Sequence, residues 1–317
     1  MVSQGPCLAI EAGGEKTFSL WRDLFRKIAP SLNIVWWKAP DVDPAAVDYL
    51  LVWKPPAGGL TPFSGLKGII CTGAGVDHLL KDPDWPVKVP LIRMGGERTG
   101  VLMAEFVLWA CLSLFRGARA WAWQQERHIF ERELITRVAS EVSVGIMGFG
   151  SLGRVVAQRL LLNGFRVRGW SRSGRAEPGV EVFAGEEALG AFLGGTDILV
   201  NLLPNTPETA DRLDRDVFAG LPGAAAVVNV GRGTQLVEAD LLAALDSGHL
   251  SGAVLDVFRT EPPDPDSPLW VHPRITMTPH AASEASRADH ARYVADVIGQ
   301  LEKGGMPDLA YDFSRGY

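Results

Sequence analysis

The 317-residue chain is 47% hydrophobic and 21% charged, and its 35 Gly and 21 Pro form no repeat. That composition describes a globular chain with room for two domains and excludes a disordered or fibrous one. A formal net charge of −6, with Lys and Arg scattered, excludes the concentrated basic footprint expected of a nucleic-acid binder.

The first hundred residues alternate short apolar runs with helical or turn-rich stretches. Strands are expected at 7–10, 34–37, 49–53 and 68–71, and a helix over 18–28, a spacing that predicts βα units. A longer apolar stretch at 103–115 follows a glycine-rich loop at 95–100, and its length predicts a buried helix joining two domains. No uninterrupted apolar run approaches the ~18 residues of a membrane span. The first residues also lack the basic and apolar regions of a secretion signal, so a cytoplasmic location without a membrane partner is expected. An arm at 116–141 is rich in charge yet carries Trp121, Trp123, Ile129 and Phe130. It reads either as a cover for a partner subunit or as a surface helix folded on its own domain.

From Val142 the pattern becomes regular. Strands are predicted at 142–147, 165–170, 197–202, 225–230, 252–257 and 274–277, mostly with helical intervals that include 152–162, 186–193 and 237–247. Gly248 is the expected stop of the last helix. This alternation predicts a doubly wound parallel sheet.

One turn in this region carries chemistry. The run Gly148-Phe149-Gly150-Ser151-Leu152-Gly153 lies between a predicted strand and a predicted helix. Gly148 permits the tight turn, Gly150 lets backbone approach a pyrophosphate, and Gly153 lets helix and strand pack, while the helix N-terminus offers N–H groups to the anion. A dinucleotide is therefore the expected cofactor. The next strand ends in Ser171-Arg172-Ser173-Gly174-Arg175, where an acidic residue would bind ribose hydroxyls. Hydroxyls and guanidinium groups suit a 2′-phosphate, which a carboxylate would repel, so NADPH is expected over NADH. A solvated basic loop is the alternative reading.

Three later stretches place polar residues just beyond predicted strands, where doubly wound sheets build their sites. They hold Arg232, then Asp256 and Glu261, then His280. Reducing a 2-oxo acid needs a cation for the carboxylate, a proton donor for the carbonyl oxygen, and an acidic partner for that donor. Arg232, His280 and Glu261 supply these groups, since imidazole titrates near neutrality and a nearby carboxylate favours its charged form. Singly, each also has a plain structural explanation: a surface cation, a loop carboxylate, a core histidine.

Together these residues resemble the D-isomer-specific 2-hydroxyacid dehydrogenase family, in which catalytic Arg, Glu and His follow a dinucleotide-binding turn in this order. The runs Val144-Gly145-Ile146-Met147-Gly148, Asn201-Leu202-Leu203-Pro204-Asn205-Thr206, Glu238-Ala239-Asp240-Leu241-Leu242-Ala243-Ala244-Leu245, Ser267-Pro268-Leu269-Trp270 and Arg315-Gly316-Tyr317 are most similar to its glyoxylate/hydroxypyruvate reductase A branch. The resemblance covers essentially the whole chain apart from the arm. It implies two doubly wound parallel-sheet (Rossmann-like) α/β domains with an active-site cleft between them: a discontinuous, flavodoxin-like substrate domain (1–98 with 286–317) and an NADP-binding domain (99–285).

The same resemblance assigns roles. Arg232 would bind substrate carboxylate, with His280 as the acid and Glu261 as its partner. Ala74 and Gly75, in the loop Thr72-Gly73-Ala74-Gly75-Val76-Asp77, would hold the carboxylate through backbone N–H groups. Trp53 would wall the pocket, the neighbouring Lys54 being a departure from the family pattern. Gly148, Gly150, Ser151, Leu152, Gly153, Ser171, Arg172, Ser173, Leu203, Pro204, Asn205, Thr206, Val230, Gly231 and Asp256 would line the cofactor, Asp256 near the nicotinamide amide. A homodimer is implied, with Phe130 where a partner's aromatic would reach the site.

The reaction expected is NADPH-dependent reduction of glyoxylate to glycolate and of hydroxypyruvate to glycerate. The alternatives are a dinucleotide-sensing, corepressor-like protein on the same fold, and a dehydrogenase of another 2-hydroxy acid. No metal is expected, because His78, His128, His249, His272, His280 and His290 show no paired ligand spacing. Cys7, Cys71 and Cys111 are too few and too far apart for a disulfide framework or a thiolate site, and are expected to be reduced.

Overall fold

The apolar runs become parallel strands, most of them buried on both faces, in the computed structural model, which describes residues 5–132, 136–313 and 316. The chain divides into two units, Met1–Arg98 with Ala285–Tyr317, and Thr99–Glu284.

The first unit contains β1 (Cys7–Ile10), α1 (Glu15–Ile28), β2 (Asn33–Trp36), β3 (Tyr49–Val52), β4 (Gly68–Cys71) and β5 (Leu91–Ile92). They form one sheet in the order β2-β1-β3-β4-β5, every pair parallel. This is the flavodoxin-like doubly wound order. The sequence pattern missed β5, which is two residues long between a proline and a glycine-rich loop. Every residue of β3 and β4 is buried, as expected of strands covered on both faces.

The second unit opens within α2 (Glu97–Arg116), followed by α3 (Ala118–Glu126). By length and composition alone α2 would pass for a membrane-crossing helix, Glu105 interrupting the apolar run but not the helix. Its Met103, Ala104, Val107, Ala110 and Cys111 are buried in the core of this unit. No residue of α3 is buried.

The rest of the unit alternates strand and helix: β6 (Ser143–Met147), α4 (Ser151–Leu162), β7 (Arg166–Ser171), β8 (Val180–Ala184), α5 (Leu189–Gly194), β9 (Ile198–Asn201), α6 (Arg215–Ala219), β10 (Ala225–Asn229), α7 (Glu238–Asp246), β11 (Leu250–Leu255) and β12 (Ile275–Met277). The strand order is β12-β11-β10-β9-β6-β7-β8, again all parallel. Winding reverses between β6 and β9, the switch point where such sheets bind ligands. The edge strand β8 was not predicted, because no residue of it is fully buried. Gly248 ends α7 as expected, with φ +79° and its N–H donating to Leu245 O.

Finally α8 (Arg287–Glu302) returns to the first unit and packs beside α1. Its last residue accepts hydrogen bonds from the Tyr49 hydroxyl at 2.7 Å and the Lys67 ammonium at 3.0 Å.

Candidate active site

In a parallel sheet every strand ends at the same edge, so residues that follow different strands meet there. The second unit places the glycine turn after β6, Ser171 at the end of β7, Leu203 to Thr206 after β9, Arg232 after β10, Asp256 and Glu261 after β11, and His280 after β12. Their gathering on one edge is a consequence of topology, and the sequence expressed it only as a recurring position.

The turn after β6 is built as its glycines require. Gly148 has φ +102°, and a Cβ there would lie 2.5 Å from the Leu202 carbonyl. At Gly153 a Cβ would press on Gly148 O at 2.8 Å, so helix and turn could not close together. Gly150 is the opposite case: a Cβ would meet nothing within 4 Å. Gly150 is the N-cap of α4, and no side chain caps the helix. Bare backbone at an uncapped helix start is the form a pyrophosphate requires, so Gly150 with the N–H groups of Ser151, Leu152 and Gly153 fits a dinucleotide.

Beyond β7, Ser171 Oγ accepts the Gly174 N–H at 3.2 Å, while Arg172, Ser173 and Arg175 are exposed. Glu208, after β9, feels the charge of Arg172. Its own backbone N–H and then the Thr206 hydroxyl hold its carboxyl below the usual range, and Arg172 adds to the effect. Asn205 accepts a hydrogen bond from Thr234 at 2.9 Å, tying the loop after β9 to the loop after β10.

Three buried amides, unforeseen from the sequence, hold the next part. Asn201 Nδ2 donates to Asn229 Oδ1 at 2.9 Å and Gln235 Oε1 at 2.7 Å, and Gln235 Nε2 donates to the Leu203 and Pro204 carbonyls. The same Gln235 Oε1 accepts the Arg232 N–H at 2.9 Å, and Asn229 Oδ1 accepts the Gly231 N–H. The half-buried Arg232 is thereby set on a backbone whose polar groups are satisfied. Asparagines closing otherwise apolar strands were the signal available for this network. Val230 is buried, and its N–H continues the ladder to Asn201 O.

Glu261 bridges two partners: Oε2 faces His280 Nδ1 at 2.8 Å, and Oε1 accepts the Phe258 N–H at 3.0 Å. The His280 ring is thus held through Nδ1, with half of the side chain exposed. His280 sits at φ +54°, an uncommon conformation for a side-chain-bearing residue, and its N–H donates to Asp256 O at 2.9 Å. Asp256 is 1% exposed, and its carboxylate accepts bonds from Thr278 Oγ1 at 2.6 Å and from the Ala281 and Ala282 N–H groups at 2.9 Å. Asp256 therefore faces the His280 loop from inside.

In the first unit, the residues after β3 and β4 adjoin. Trp53 lies against Gly73, where a Cβ would be 2.5 Å from the indole ring. Its N–H donates to Glu11 Oε2 at 2.7 Å, its carbonyl bonds His78 Nε2, and the Lys54 ammonium lies 5.6 Å from its ring centre. Lys54 thus has a place, beside the indole. Ala74 is exposed, and neither its N–H nor that of Gly75 donates a backbone hydrogen bond among the described residues. Of the arm, Phe130 is 94% exposed.

A strand, a bare glycine turn and a helix at the switch point of a parallel sheet, with Arg232 and a Glu261–His280 pair on the same edge, define a dinucleotide-binding oxidoreductase fold. The family model for the NAD binding domain of D-isomer specific 2-hydroxyacid dehydrogenases matches residues 108–282. Over 302 residues the chain is 41% identical to glyoxylate/hydroxypyruvate reductase A of Salmonella paratyphi B, covering 94% of this chain and 96% of that one. This chain belongs to the D-isomer specific 2-hydroxyacid dehydrogenase family.

Among solved structures it is similar to a D-isomer specific 2-hydroxyacid dehydrogenase from Xanthobacter autotrophicus in complex with NADPH and MES, with TM-score 0.92, 38% identity, and 99% and 100% of the two chains covered. An NADPH-dependent glyoxylate/hydroxypyruvate reductase from Sinorhizobium meliloti, in complex with NADP and sulfate, gives TM-score 0.89 and 36% identity over 98% of this chain and 100% of that one.

Proposed function

We propose that this chain is an NADPH-dependent reductase of small 2-oxo acids, converting glyoxylate to glycolate and hydroxypyruvate to glycerate, and that it works in the cytoplasm as a homodimer. The observation that carries the reading is the Glu261–His280 pair at 2.8 Å on the sheet edge that also bears Arg232 and the bare turn at Gly150. Its relatives by sequence and structure are named for the same chemistry.

When bound, NADPH supplies the hydride. The N–H groups at the start of α4 would hold its pyrophosphate, Ser171, Arg172 and Ser173 its 2′-phosphate, and Leu203 to Thr206 with Val230 and Gly231 its remaining length. Arg232 would receive the substrate carboxylate as a charge-assisted pair. In the first unit Ala74 and Gly75, through their backbone N–H groups, and Trp53 beside Gly73 would be the substrate-binding residues. His280 would give the proton on Nε2 to the carbonyl oxygen as it becomes a hydroxyl, while Glu261 fixes the ring and supplies the counter-charge. The donor with its carboxylate partner favours this reading over a protein that only senses the dinucleotide.

The test is spectrophotometric: the purified protein is mixed with NADPH and then with glyoxylate or hydroxypyruvate, and cofactor absorbance is followed. Loss of absorbance that depends on the 2-oxo acid is expected. No loss with either substrate would overturn the reductase reading.

For the oligomer, the support is an apolar surface on α2, α3 and the segment beyond. Trp109, Leu112, Trp121, Trp123 and Phe130 are all exposed. Exposed large apolar side chains of this kind are enriched at protein interfaces.

A further inference from the structure

The loop between β7 and β8 carries the side chains proposed for the 2′-phosphate, and three residues outside that set hold it in shape. Arg154, in the first turn of α4, donates from Nη1 to Glu177 Oε2 at 2.8 Å and to Ala176 O at 3.2 Å, and from Nη2 to Arg175 O at 3.2 Å. Gln158, one helical turn further along the same face, donates to the other oxygen, Glu177 Oε1, at 2.7 Å. The ion pair is largely shielded, with side chains 18% and 17% exposed. Arg154 also lies over the ring of Phe149, inside the glycine turn, at 5.3 Å.

The other end of the loop is pinned independently, by the Gly174 N–H on Ser171 Oγ and by Gly174 itself, at φ +61° with Ala184 against the space a Cβ would take. Between the two anchors Arg172, Ser173 and Arg175 stand exposed. A loop of exposed arginines would lose conformational freedom on gripping a phosphate, and a scaffold that has already ordered it removes that cost.

We infer that Arg154, Gln158 and Glu177 are positioning residues for cofactor selection: they clamp the loop after β7 in the shape that receives a 2′-phosphate, and so set the preference for NADPH over NADH. The inference rests on the NADPH reading. Changes at Glu177, in the loop, and at Gln158, beyond the first turn of α4, should act mainly on the 2′-phosphate, because the glycine turn and the start of α4 receive the pyrophosphate common to both cofactors.

The experiment measures NADPH and NADH binding to the full-length protein, by the change in nicotinamide fluorescence without substrate, for wild type, Glu177→Gln and Gln158→Ala. Glu177→Gln keeps the size of the side chain and removes the charge. It should weaken NADPH by about tenfold and NADH by less than about twofold. Gln158→Ala, which takes away one bond and leaves the ion pair, should shift the ratio in the same direction by less, and it stands in if the first variant fails to fold. Equal losses for both cofactors, or an unchanged NADPH affinity, would overturn the clamp. Stronger NADPH binding would also overturn it, since Glu177 would then be a charge repelling the phosphate. A wild type without preference for NADPH defeats the underlying cofactor reading, whereas a preference that survives in both variants defeats the clamp alone.

Discussion

Two carboxylates approach the His280 loop from different sides and their contacts divide the labour between them. Glu261 reaches the ring at 2.8 Å, whereas Asp256 is buried beneath the backbone, with the Thr278 hydroxyl and the Ala281 and Ala282 N–H groups on its oxygens. His280→Ala removes the proposed donor and should lower turnover by about 10²- to 10⁴-fold with NADPH affinity kept. Asp256→Asn keeps the shape but replaces one acceptor by a donor facing N–H groups. It should destabilise the fold by about 1–3 kcal/mol and reduce turnover less than His280→Ala does. Fluorescence titration with NADPH separates the roles of Asp256, because an aspartate near the nicotinamide amide would weaken cofactor binding when changed, and a brace for the loop would not. The pairing of His280 with Glu261 was legible in the sequence, since both follow strands and their chemistries complement each other. The bracing by Asp256 was not, because its partners lie 22 to 26 residues away and two of them are backbone groups.

At the scale of elements, strands buried on both faces announce themselves as apolar runs, and β1, β3, β4, β9 and β10 were found that way. The two strands missed, β5 and β8, lie at sheet edges, one too short and one too exposed to show a pattern. What ties α8 to the first sheet was equally invisible. Glu302 ends that helix, where a carboxylate opposes the helix dipole, yet it is held by the Tyr49 hydroxyl and Lys67. Those two bonds, the Tyr49 one foremost, hold its carboxyl below the usual range, although the neighbouring charge of Asp48 works the other way. A carboxyl depressed in the folded state contributes stability above its unfolded pKa, and that contribution is lost as pH falls through the folded value. Thermal unfolding followed from about pH 6 down to pH 3 should therefore show the midpoint losing this contribution as the pH drops below about 4.3. In Glu302→Gln the fall should be shallower and the midpoint at pH 6 lower. Parallel curves for the two proteins would mean that Glu302 has no part in acid stability.

For the whole molecule, the sequence carried the alternation that makes two parallel sheets, but neither strand order, β2-β1-β3-β4-β5 nor β12-β11-β10-β9-β6-β7-β8, is written in any local pattern. Sheet order depends on which apolar faces meet, and that is settled only by packing. The arm was ambiguous for the same reason, since an aromatic in sequence can face its own core or a partner. Among the described residues no residue of α3 is buried and Phe130 is 94% exposed, an exposure that a partner-covering arm and a surface helix share. A monomer would leave Phe130 almost wholly in water, a side chain whose full burial is worth about 1.5–3 kcal/mol, and Trp109, Trp121 and Trp123 partly so. In a homodimer a patch on one protomer meets the partner's equivalent patch, so each residue counts twice and a single charge placed there is felt twice. Light scattering on a sizing column should accordingly give twice the chain mass for the wild type at micromolar concentration. Trp123→Glu should move the protein toward the single-chain mass, and its unfolding midpoint should become more sensitive to dilution. A wild type that elutes as one chain would instead assign the exposed aromatics to some other partner.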